Sequence, residues 1–482
     1  MVNNYLVIAV CLGLAEALRR CILIMITALM GPLSKVPGPF LSKFTRIPWA
    51  VETVTGKHMN TTDDLFKKYG DVVRVAPNHV IVGDRAGIHK VLVEKDLVKA
   101  PFFDNMRLHP GNPMLVTERD KESHKRTRRL LSPGFSISYL DGLEPFMQEC
   151  IQEFEKVLDS KCDENDGTAV VDMQGVLSNL TFDVMSATSL GGSFNLVTSN
   201  NTKLKKTFMS ILIKAAINGQ FPYLRYIPFW PQAIPPDMNR MLDDVLDRRE
   251  SVGKPAKKDI VQIILDAHQM DPIGFPEMRM RDEVTMFMVA GSETTSSNST
   301  AILMLLVNNM DKLQRLIEEI DSVFSRNDEV TFTKLQELPY LNAVLWEGLR
   351  LVAPSAGLLR YTTEPIMIND YEIPPDTTVQ PWPMAAMKDP RIWPDAEKFI
   401  PERWLGVYKG VEANRADVIA FSAGSRNCIG WQFAMREMRL IFARLLLRYE
   451  LSLVPGQSHE RRYHSTPWFV QGFYKVEVKL RK

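Results

Sequence analysis

Phe421-Ser-Ala-Gly424-Ser-Arg426-Asn-Cys428-Ile-Gly430 is the most informative segment of this chain of 482 residues. It surrounds one cysteine with two glycines and an arginine, and an apolar run with helical periodicity follows it. Such surroundings are typical of a cysteine that presents its thiolate to a haem iron. A thiolate ligand donates electron density to the iron and so favours cleavage of a bound O–O bond. We therefore predict that Cys428 is an iron ligand.

The composition is that of a globular protein with a large core. Of the residues, 45% are hydrophobic and 24% are charged, without the shortage of apolar residues that marks disorder. The formal net charge is +1, so no general positive charge predicts nucleic acid as a partner. The 5 cysteines are irregularly spaced and form no Cys-x-x-Cys pair, which indicates neither a disulfide framework nor a zinc site.

Residues 1–34 are predicted to be a membrane anchor. Two apolar runs are interrupted by Glu16, Arg19 and Arg20. Each run alone is too short for a hydrocarbon core of about 30 Å, but together they could cross it as one tilted helix. Glu16 shares a helical face with both arginines, and pairing would reduce the cost of insertion. A helix lying in the membrane interface is the alternative, since the chain lacks the basic start of a cleaved signal peptide.

Residues 35–482 are predicted to form one body, mainly α with small β-sheets. The proline-rich segment 35–40 cannot continue a helix and acts as a hinge. A hairpin is predicted within 72–82, and strand-rich patches near 357–382 and 449–480. Helical periodicity dominates the rest, in the segments 84–95, 119–131, 141–158, 172–190, 200–217, 237–250, 277–308, 310–324, 338–351 and 429–449.

A second candidate site combines two charged residues of one predicted helix with a third from a proline-rich stretch. Glu347 and Arg350 share a helical face, where they can form a bidentate pair. A buried pair needs further partners to offset desolvation, and Arg403, in Pro401-Glu-Arg403-Trp404, could supply one. On its own a Glu-x-x-Arg sequence is usually a solvated surface pair. Its position before the cysteine segment favours the buried interpretation.

The middle of the longest predicted helix carries Ala290-Gly-Ser-Glu293-Thr294-Thr. Glycine and threonine are poor helix formers, and threonine hydroxyls can bond to a carbonyl one turn back and bend the helix. The resulting groove could admit O2 beside a haem, with the Thr294 hydroxyl and the Glu293 carboxylate placed to deliver protons. Without a haem, these residues are equally well explained as a site where another helix packs closely.

The helix predicted over 119–131 is basic, and most such helices simply present a solvated face. His124 and Arg128 are four residues apart and could hold a carboxylate. Lys125, Arg126 and Arg129 would then remain outside and could attract an acidic protein.

Residues 354–360, which follow the Glu347 helix, form the weakest candidate. Their small and apolar side chains could line a pocket, and Arg360 could pair with a second carboxylate. A single arginine in such a position is usually on the surface.

In this order, the segments resemble those of the cytochrome P450 superfamily of haem-thiolate monooxygenases, in its membrane-bound eukaryotic form. The resemblance runs from the hinge at Pro37 to the end of the chain. It is carried by the cysteine segment, the Glu-x-x-Arg pair, the Pro-Glu-Arg-Trp stretch and Ala290 to Thr295. It implies the cytochrome P450 fold (α+β), with a long central helix over the haem.

The resemblance also implies haem b (iron protoporphyrin IX) as the cofactor, with Cys428 as the axial metal ligand. Loop amides and the N-terminus of the following helix would stabilise the thiolate. Gly424 and Gly430 would let the loop lie close to the porphyrin, and Phe421 would shield the sulfur. Three arginines would bind the propionates, together with His124, at whose position many members have tryptophan. These arginines are Arg426, Arg128 and Arg360.

Two further groups of residues receive roles from the resemblance. Glu347, Arg350 and Arg403 would form the structural triad that locks the haem-binding scaffold. Glu293 and Thr294 would be the acid and the alcohol that serve in oxygen activation.

The implied reaction inserts one atom of O2 into an organic substrate and reduces the other to water. No glycine-rich dinucleotide loop follows the cysteine segment, so the electrons are expected from a separate protein. The resemblance implies an NADPH-dependent flavoprotein reductase, docked near residues 121–129, and a location at the endoplasmic reticulum membrane with the catalytic domain in the cytosol.

The substrate is expected to be a lipophilic small molecule, because the segments that the resemblance places around the pocket are mainly apolar. The sequence as a whole resembles those of fungal enzymes that oxidise terpenoids or polyketides in secondary metabolism. Two alternatives stay open. One is a haem-thiolate isomerase or dehydratase that needs no reductase, against which the Glu293–Thr294 pair argues, and the other is a non-catalytic haem sensor. The predicted pocket segments are 101–114, 208–230, 286–290, 355–358 and 467–469.

Overall fold

Apolar residues spaced three and four apart bury one face of each helix, and this pattern produces a mainly helical body. The computed structural model describes residues 2–227, 229–230, 240, 242–245, 247, 259–326, 328–354, 357–410, 413–463 and 466–481. The α-helices of these residues are Val2–Met30, Ile47–Val54, His58–Tyr69, Arg85–His89, Phe102–Asn105, Lys121–Leu131, Ile137–Asp141, Glu144–Asp163, Met173–Leu190, Leu196–Ser199, Thr202–Gln220, Ile260–Met270, Glu277–Val307, Met310–Val323, Phe332–Gln336, Pro339–Val352, Pro383–Met387 and Trp431–Arg448.

The helix Glu277–Val307, called the central helix below, lies in the core. It packs along Met173–Leu190 and also contacts Pro339–Val352 and Trp431–Arg448, the last called the C-terminal helix below. Most of its side chains are buried, including the run of polar residues from Ser292 to Thr300. Polar groups inside a protein need partners. The polar middle of this helix is therefore a candidate site.

Four small sheets accompany the helices in the described part of the chain. The largest pairs its strands antiparallel except for His79–Val82 and Thr378–Pro381, which run parallel. Its strand order is Val72–Ala76, His79–Val82, Thr378–Pro381, Arg360–Tyr361 and Val98–Lys99. The others are antiparallel and comprise Thr168–Asp172 with Lys475–Leu480 and Tyr449–Leu453, Arg461–Tyr463 with Pro467–Phe469, and Ile366–Ile368 with Tyr371–Ile373.

The periodicity predictions are largely confirmed. The predicted hairpin forms, with Val72 opposite Val82, and the strand-rich patches contain strands. The segment 84–95 is a short α-helix followed by a π-helix at Lys90–Glu94. The predicted helix 237–250 lies mostly outside the described residues, as do residues 355 and 356 of the predicted pocket. The helices at 47–54, 58–69 and 260–270 were not predicted, because they last only two to three turns.

The N-terminal segment forms the helix Val2–Met30, and most of its large apolar side chains from residue 5 onward are exposed. Glu16 accepts hydrogen bonds from Arg19 at 2.7 and 2.8 Å and from Arg20 at 2.8 Å. Among the helices that the structure describes, none combines the length and the hydropathy needed to span a bilayer. The predicted spanning anchor is therefore not confirmed.

The end of this helix is attached to the body by one buried arginine. Arg74, on the first strand, donates to the carbonyl oxygens of Ala28 and Leu33, each at 3.2 Å. Its own backbone N–H donates to the Pro37 carbonyl at 2.7 Å. The hinge is thus held against the largest sheet.

Candidate functional site: a cysteine loop, a cationic cluster and a polar helix

The cysteine loop, residues 419–430, closes on itself before the C-terminal helix begins. The backbone N–H of Cys428 donates to the Phe421 carbonyl at 2.8 Å. The Phe421 ring packs against Trp346 and Trp431, with ring centroids 6.4 Å apart in each pair. Protein atoms surround the Cys428 side chain, yet it is solvent-accessible. Its sulfur therefore faces a cavity rather than packed side chains.

Gly424 is required by the backbone of this loop. Its φ is +73°, a conformation that strains any other residue, and an added Cβ would lie 2.1 Å from the Leu92 carbonyl oxygen. This contact with Leu92 was not predicted. Gly430 has an ordinary φ of −91°, and the nearest atom to an added Cβ is Phe135 Cε1 at 3.8 Å. Contacts within the described protein therefore explain why position 424 is a glycine, but they do not explain the glycine at position 430.

Opposing effects act on the Cys428 thiol. Burial raises its pKa, while the Gly430 amide and the charge of Arg128 lower it. A metal ion needs the thiolate and would shift this balance further towards it. The loop thus provides two of the features that a thiolate ligand requires, a donated amide and a nearby cation.

Glu347, Arg350 and Arg403 form an ionic cluster with no exposed side-chain surface. Arg350 holds both carboxylate oxygens of Glu347, at 2.8 and 2.9 Å, and Arg403 Nε donates to Glu347 Oε1 at 3.1 Å. The Trp404 indole and the Ile400 amide also donate to this carboxylate. Arg350 in turn donates to three carbonyl oxygens of residues 387–398. The cluster joins the helix 339–352 to the irregular chain before the cysteine loop.

His124, Arg128, Arg360 and Arg426 gather in one place, although they come from three distant segments. His124 is buried, and burial with the charges of Lys99 and the three arginines lowers its pKa to about 3. Burial and the charge of Arg426 lower the pKa of Arg360 to about 10. These mutual effects place the groups close together around one interior region. Within the described residues, none of the five forms an ion pair with a carboxylate.

Two of these cations also hold the loops around the cavity. Arg128 donates to the carbonyl and side-chain oxygens of Asn427, each at 2.6 Å, directly beside Cys428. Arg426 donates to the backbone oxygens of Glu118 and Arg119 at 2.6 and 2.9 Å. Among the described residues, Arg360 donates only to its own neighbour, the Leu359 carbonyl, at 3.2 Å. Arg360 therefore has most of its donor capacity left for another partner.

The central helix is continuous through its middle, and one side of this middle segment faces the cavity. The Thr294 hydroxyl donates to the Ala290 carbonyl one turn back, at 2.7 Å. Ala290 is exposed and Thr294 half-buried, although both lie in the core segment of the helix. A Cβ added to Gly291 would lie 2.4 Å from Met185 Sδ. The close-packing explanation therefore applies to Gly291, whereas Ala290 and Thr294 face open space.

Glu293 is completely buried, and in the part of the chain that the structure describes neither of its carboxylate oxygens has a hydrogen-bond partner. Burial raises its pKa to about 7, while the charge of Lys205 lowers it. A carboxyl group with a pKa near neutrality can both release and accept a proton, which suits an acid–base role.

Sequence reasoning missed two members of the site. Lys99 is buried among the cations, because its strand pairs with the strand of Arg360, with Lys99 opposite Arg360. Its ammonium donates to the carbonyl oxygens of Leu115 and Val116, each at 2.8 Å. Asn427 was inside the quoted segment, but no signal marked it as the partner of Arg128. Both contacts depend on pairing between distant segments, which periodicity cannot supply.

The chemistry of these donors fits a haem. A group of cations without carboxylate partners matches the two propionates, a free cysteine facing the same interior matches the iron, and the cavity face of the central helix leaves room beside it. Fold and site together define the class of the protein, a haem-thiolate oxidoreductase.

Comparison with known proteins agrees with this class. Residues 37–480 match the family model described as "Cytochrome P450". The chain is 32% identical over 460 residues to "Cytochrome P450 monooxygenase LUC2" of Fusarium sp, an alignment that covers 94% of this chain and 89% of that protein. It is 31% identical to "Cytochrome P450 monooxygenase FUS8" of Gibberella moniliformis, covering 94% and 90%. Against "Cytochrome P450 monooxygenase acrD" of Aspergillus aculeatus it is 33% identical, covering 89% and 87%.

The chain belongs to the cytochrome P450 family. It is an oxidoreductase of the monooxygenase type, and its cofactor is haem b. The prediction of family, reaction class and cofactor from the sequence is confirmed.

Proposed function

We propose that this enzyme inserts one oxygen atom from O2 into a lipophilic small molecule, with Cys428 as the axial ligand of the haem. The observation that carries this proposal is the meeting of a cavity-facing cysteine with a cluster of cations that lack carboxylate partners. Bound haem supplies the activation of O2 and the oxidising power. The catalytic domain would comprise residues 35–482 and the N-terminal attachment residues 1–34.

The cations have the task of holding the cofactor. Arg360, Arg426 and Arg128 would pair with the haem propionates, and buried His124 would donate a hydrogen bond rather than a charge because of its low pKa. Glu347, Arg350 and Arg403 would keep the cysteine loop in position from the other side.

Glu293 and Thr294 have the task of moving protons to the cavity. The Thr294 hydroxyl faces the cavity and donates to the Ala290 carbonyl, so its oxygen can accept a hydrogen bond from the cavity. To deliver a proton there, the hydroxyl would rotate its O–H away from the Ala290 carbonyl. Glu293, one residue earlier, would return a proton to the Thr294 hydroxyl. Its pKa of about 7 lets it take up and release protons near neutral pH. Retention of this pair supports monooxygenation over an isomerisation that needs no proton delivery.

A lipophilic substrate is supported by the apolar character of the segments that the family resemblance assigns to the pocket. Phe102 and Phe103 pack edge to face at 5.5 Å, and the Phe102 ring lies against Gly219 of the helix 202–220. The cited relatives are all fungal monooxygenases. We therefore place the substrate among the apolar secondary metabolites of fungi, such as polyketides or terpenoids.

An NADPH-dependent flavoprotein reductase is the proposed electron donor, docked on the helix 121–131. Lys125, Arg126 and Arg129 are exposed there, and an open groove of about 520 Å³ runs along this face. An acidic reductase surface would be attracted to it. Arg126 already pairs with Asp271, so Lys125 and Arg129 carry the free charge of the groove.

Attachment to the endoplasmic reticulum membrane is proposed through the N-terminal helix. Its exposed apolar side chains continue into Phe40, Leu41 and Ile47, which are also exposed. A continuous apolar surface of this kind binds a membrane interface. The catalytic domain would then lie on the cytosolic side.

The test is a carbon monoxide difference spectrum of the reduced protein, with Cys428→Ser and Cys162→Ser side by side. Cys162 is buried elsewhere, so its variant controls for the loss of a buried thiol. We expect the Soret band typical of thiolate ligation in the wild type and in Cys162→Ser, and its loss in Cys428→Ser. The same band in Cys428→Ser would remove Cys428 as the ligand. NADPH- and reductase-dependent product formation then tests the reaction.

A further inference from the structure

Lys205 is a half-buried cation that the proposed mechanism does not use. It lies near the start of the helix 202–220, between Lys203 and Lys206, which are both exposed. Its ammonium group lies over the ring of Trp468, 5.6 Å from the ring centroid. Within the described residues, this ammonium donates no hydrogen bond and contacts no carboxylate. It is therefore a half-buried cation without a counter-charge in contact.

Two acids act on Lys205 from a distance without pairing with it. Burial lowers the pKa of Lys205, while the charges of Glu293 and Asp172 raise it. Glu293 has a pKa of about 7, so it is partly protonated at neutral pH. Asp172 accepts a hydrogen bond from the Tyr474 amide at 3.0 Å and precedes the helix 173–190, whose N-terminus stabilises its charge. Neither acid therefore occupies the hydrogen-bonding capacity of the ammonium.

Gln174 supplies a second donor beside the same strand. It is buried, and its side-chain oxygen accepts a hydrogen bond from the Phe469 amide at 3.1 Å. Because the Phe469 N–H needs an acceptor, the amide of Gln174 has one orientation, and its NH2 group is left over. In the part of the chain that the structure describes, this NH2 group has no hydrogen-bond partner. Lys205 and Gln174 thus have unused donors around the strand Pro467–Phe469.

The surroundings of Lys205 are otherwise apolar. Trp468 lies under its ammonium, and Phe208 is three positions further along the same side of the helix. The Phe208 ring packs against those of Phe182 and Phe194, with centroids 5.3 and 6.0 Å away. A ligand that fits this region therefore has an apolar body and one polar end.

A carboxylate suits the two donors better than water does. Buried polar atoms are nearly always hydrogen-bonded, and a buried cation needs an opposite charge as well. Water would satisfy the Gln174 amide but would leave the charge of Lys205 without a partner. A carboxylate has two acceptor oxygens and one negative charge, and hydrogen bonds between charged groups are the stronger ones.

We propose that Lys205 and Gln174 bind the carboxylate of a lipophilic acid, which is the substrate class of this enzyme, and that Trp468 packs against its chain. This inference rests on the proposed function, because it takes the helix 202–220 and the strand 467–469 as walls of the substrate pocket. Attachment of one end of the substrate would decide which of its carbons faces Thr294. Lys205 and Gln174 would therefore determine specificity without taking part in the chemistry.

The first test titrates the full-length haem protein with dodecanoic acid and with dodecyl alcohol and follows the shift of the Soret band. We expect the wild type to bind the acid more tightly than the alcohol. Lys205→Met should weaken binding of the acid about 10- to 100-fold, the usual effect of losing a hydrogen bond between charged groups, and should leave binding of the alcohol unchanged. Lys206→Met, which removes an exposed lysine of the same helix, is the matched control.

The second test changes the other donor. Gln174→Glu keeps an acceptor for the Phe469 amide but replaces the NH2 group by a charged oxygen, so it should weaken binding of the acid and not of the alcohol. This variant also tests the site if Lys205→Met does not fold. Urea unfolding supplies a readout without substrate. Lys205→Met removes a half-buried charge that has no partner, so its unfolding midpoint should equal or exceed that of the wild type.

Three results would overturn the carboxylate site. The first is wild-type protein that does not prefer the acid, or that binds neither compound. The second is a loss of stability in Lys205→Met, since the ammonium would then have its partner within the protein. The third is equal weakening of acid and alcohol by Lys205→Met, which would mean that Lys205 acts only through Glu293. Failure of the proposed function is recognised separately, because the wild type would then show no thiolate-type Soret band with carbon monoxide.

Discussion

Replacement of Glu347 by glutamine is the most direct test of the scaffold behind the cysteine loop. Five hydrogen bonds end on the two carboxylate oxygens of Glu347, two from Arg350 and one each from Arg403, Trp404 and the Ile400 amide. Neither the carboxylate nor the guanidinium groups have exposed surface. Glutamine keeps the shape, but its NH2 group cannot accept, and both arginines lose their counter-charge.

The expected cost follows from the burial of the two arginines. Removal of one partner from a buried ion pair destabilises a protein by about 3–5 kcal/mol, since it leaves an uncompensated charge. Proteins are stable by only about 5–15 kcal/mol, so the variant should lose between about a fifth and all of its stability. We expect urea unfolding, followed by tryptophan fluorescence, at a much lower midpoint. The thiolate-type Soret band should fall with it.

Glu337→Gln is the matched control, because Glu337 is exposed and lies just before the same helix. Its effect should stay within about 0.5 kcal/mol. If the unfolding midpoints of Glu347→Gln and Glu337→Gln coincided, the buried cluster would not be stabilised by charge pairing. That result would refute the reasoning.

Three further predictions concern the proton path, the docking face and the loop. Burial raises the pKa of Glu293 from 4.5 to about 7, so its ionisation opposes folding as the pH rises through this range. Glu293→Gln should therefore lose less stability than the wild type between about pH 5 and pH 8 in urea titrations, and parallel losses would contradict this. Charge reversal of Lys125 and Arg129 should slow reduction of the haem by the reductase without changing haem content, as stopped-flow spectra would show; unaltered rates would exclude this face. Gly424→Ala should lose haem binding, because φ at this position is +73° and the added Cβ would lie 2.1 Å from the Leu92 carbonyl oxygen. Gly192→Ala, whose added Cβ would have no atom within 4 Å, should keep haem binding.

Local spacing accounts for what the sequence could predict. Glu347 and Arg350 are on one helix turn, so their pairing follows from helix geometry alone, and the long helical segments were found because their apolar positions repeat over three or more turns. The resemblance of the cysteine segment then supplied the family and the cofactor.

Long-range pairing accounts for what the sequence could not predict. Lys99 joins the cations only because its strand lies beside that of Arg360, and the register of two-residue strands leaves no pattern in the chain. The burial of Glu437 in the C-terminal helix was not predicted either, since a charged residue in an amphipathic helix ordinarily faces solvent. Its burial depends on the packing of the central helix against the C-terminal helix. For Lys99 and for Glu437, the surroundings of the side chain depend on contacts with segments that are distant in the sequence.

The cationic cluster predicts that folding and cofactor binding are coupled in this chain. Lys99, Arg360 and Arg426 are buried, and the charges of both arginines lower the pKa of Lys99, while the charge of Arg426 lowers the pKa of Arg360. These charges therefore oppose one another in the folded state. Two carboxylates of a ligand would convert this repulsion into attraction. A ligand that binds only the folded protein stabilises it, so the free energy stored in this repulsion becomes part of the affinity for haem. In the buried Glu347 cluster both arginines already have a carboxylate partner within the protein, so this cluster can hold the loop in place before that ligand arrives.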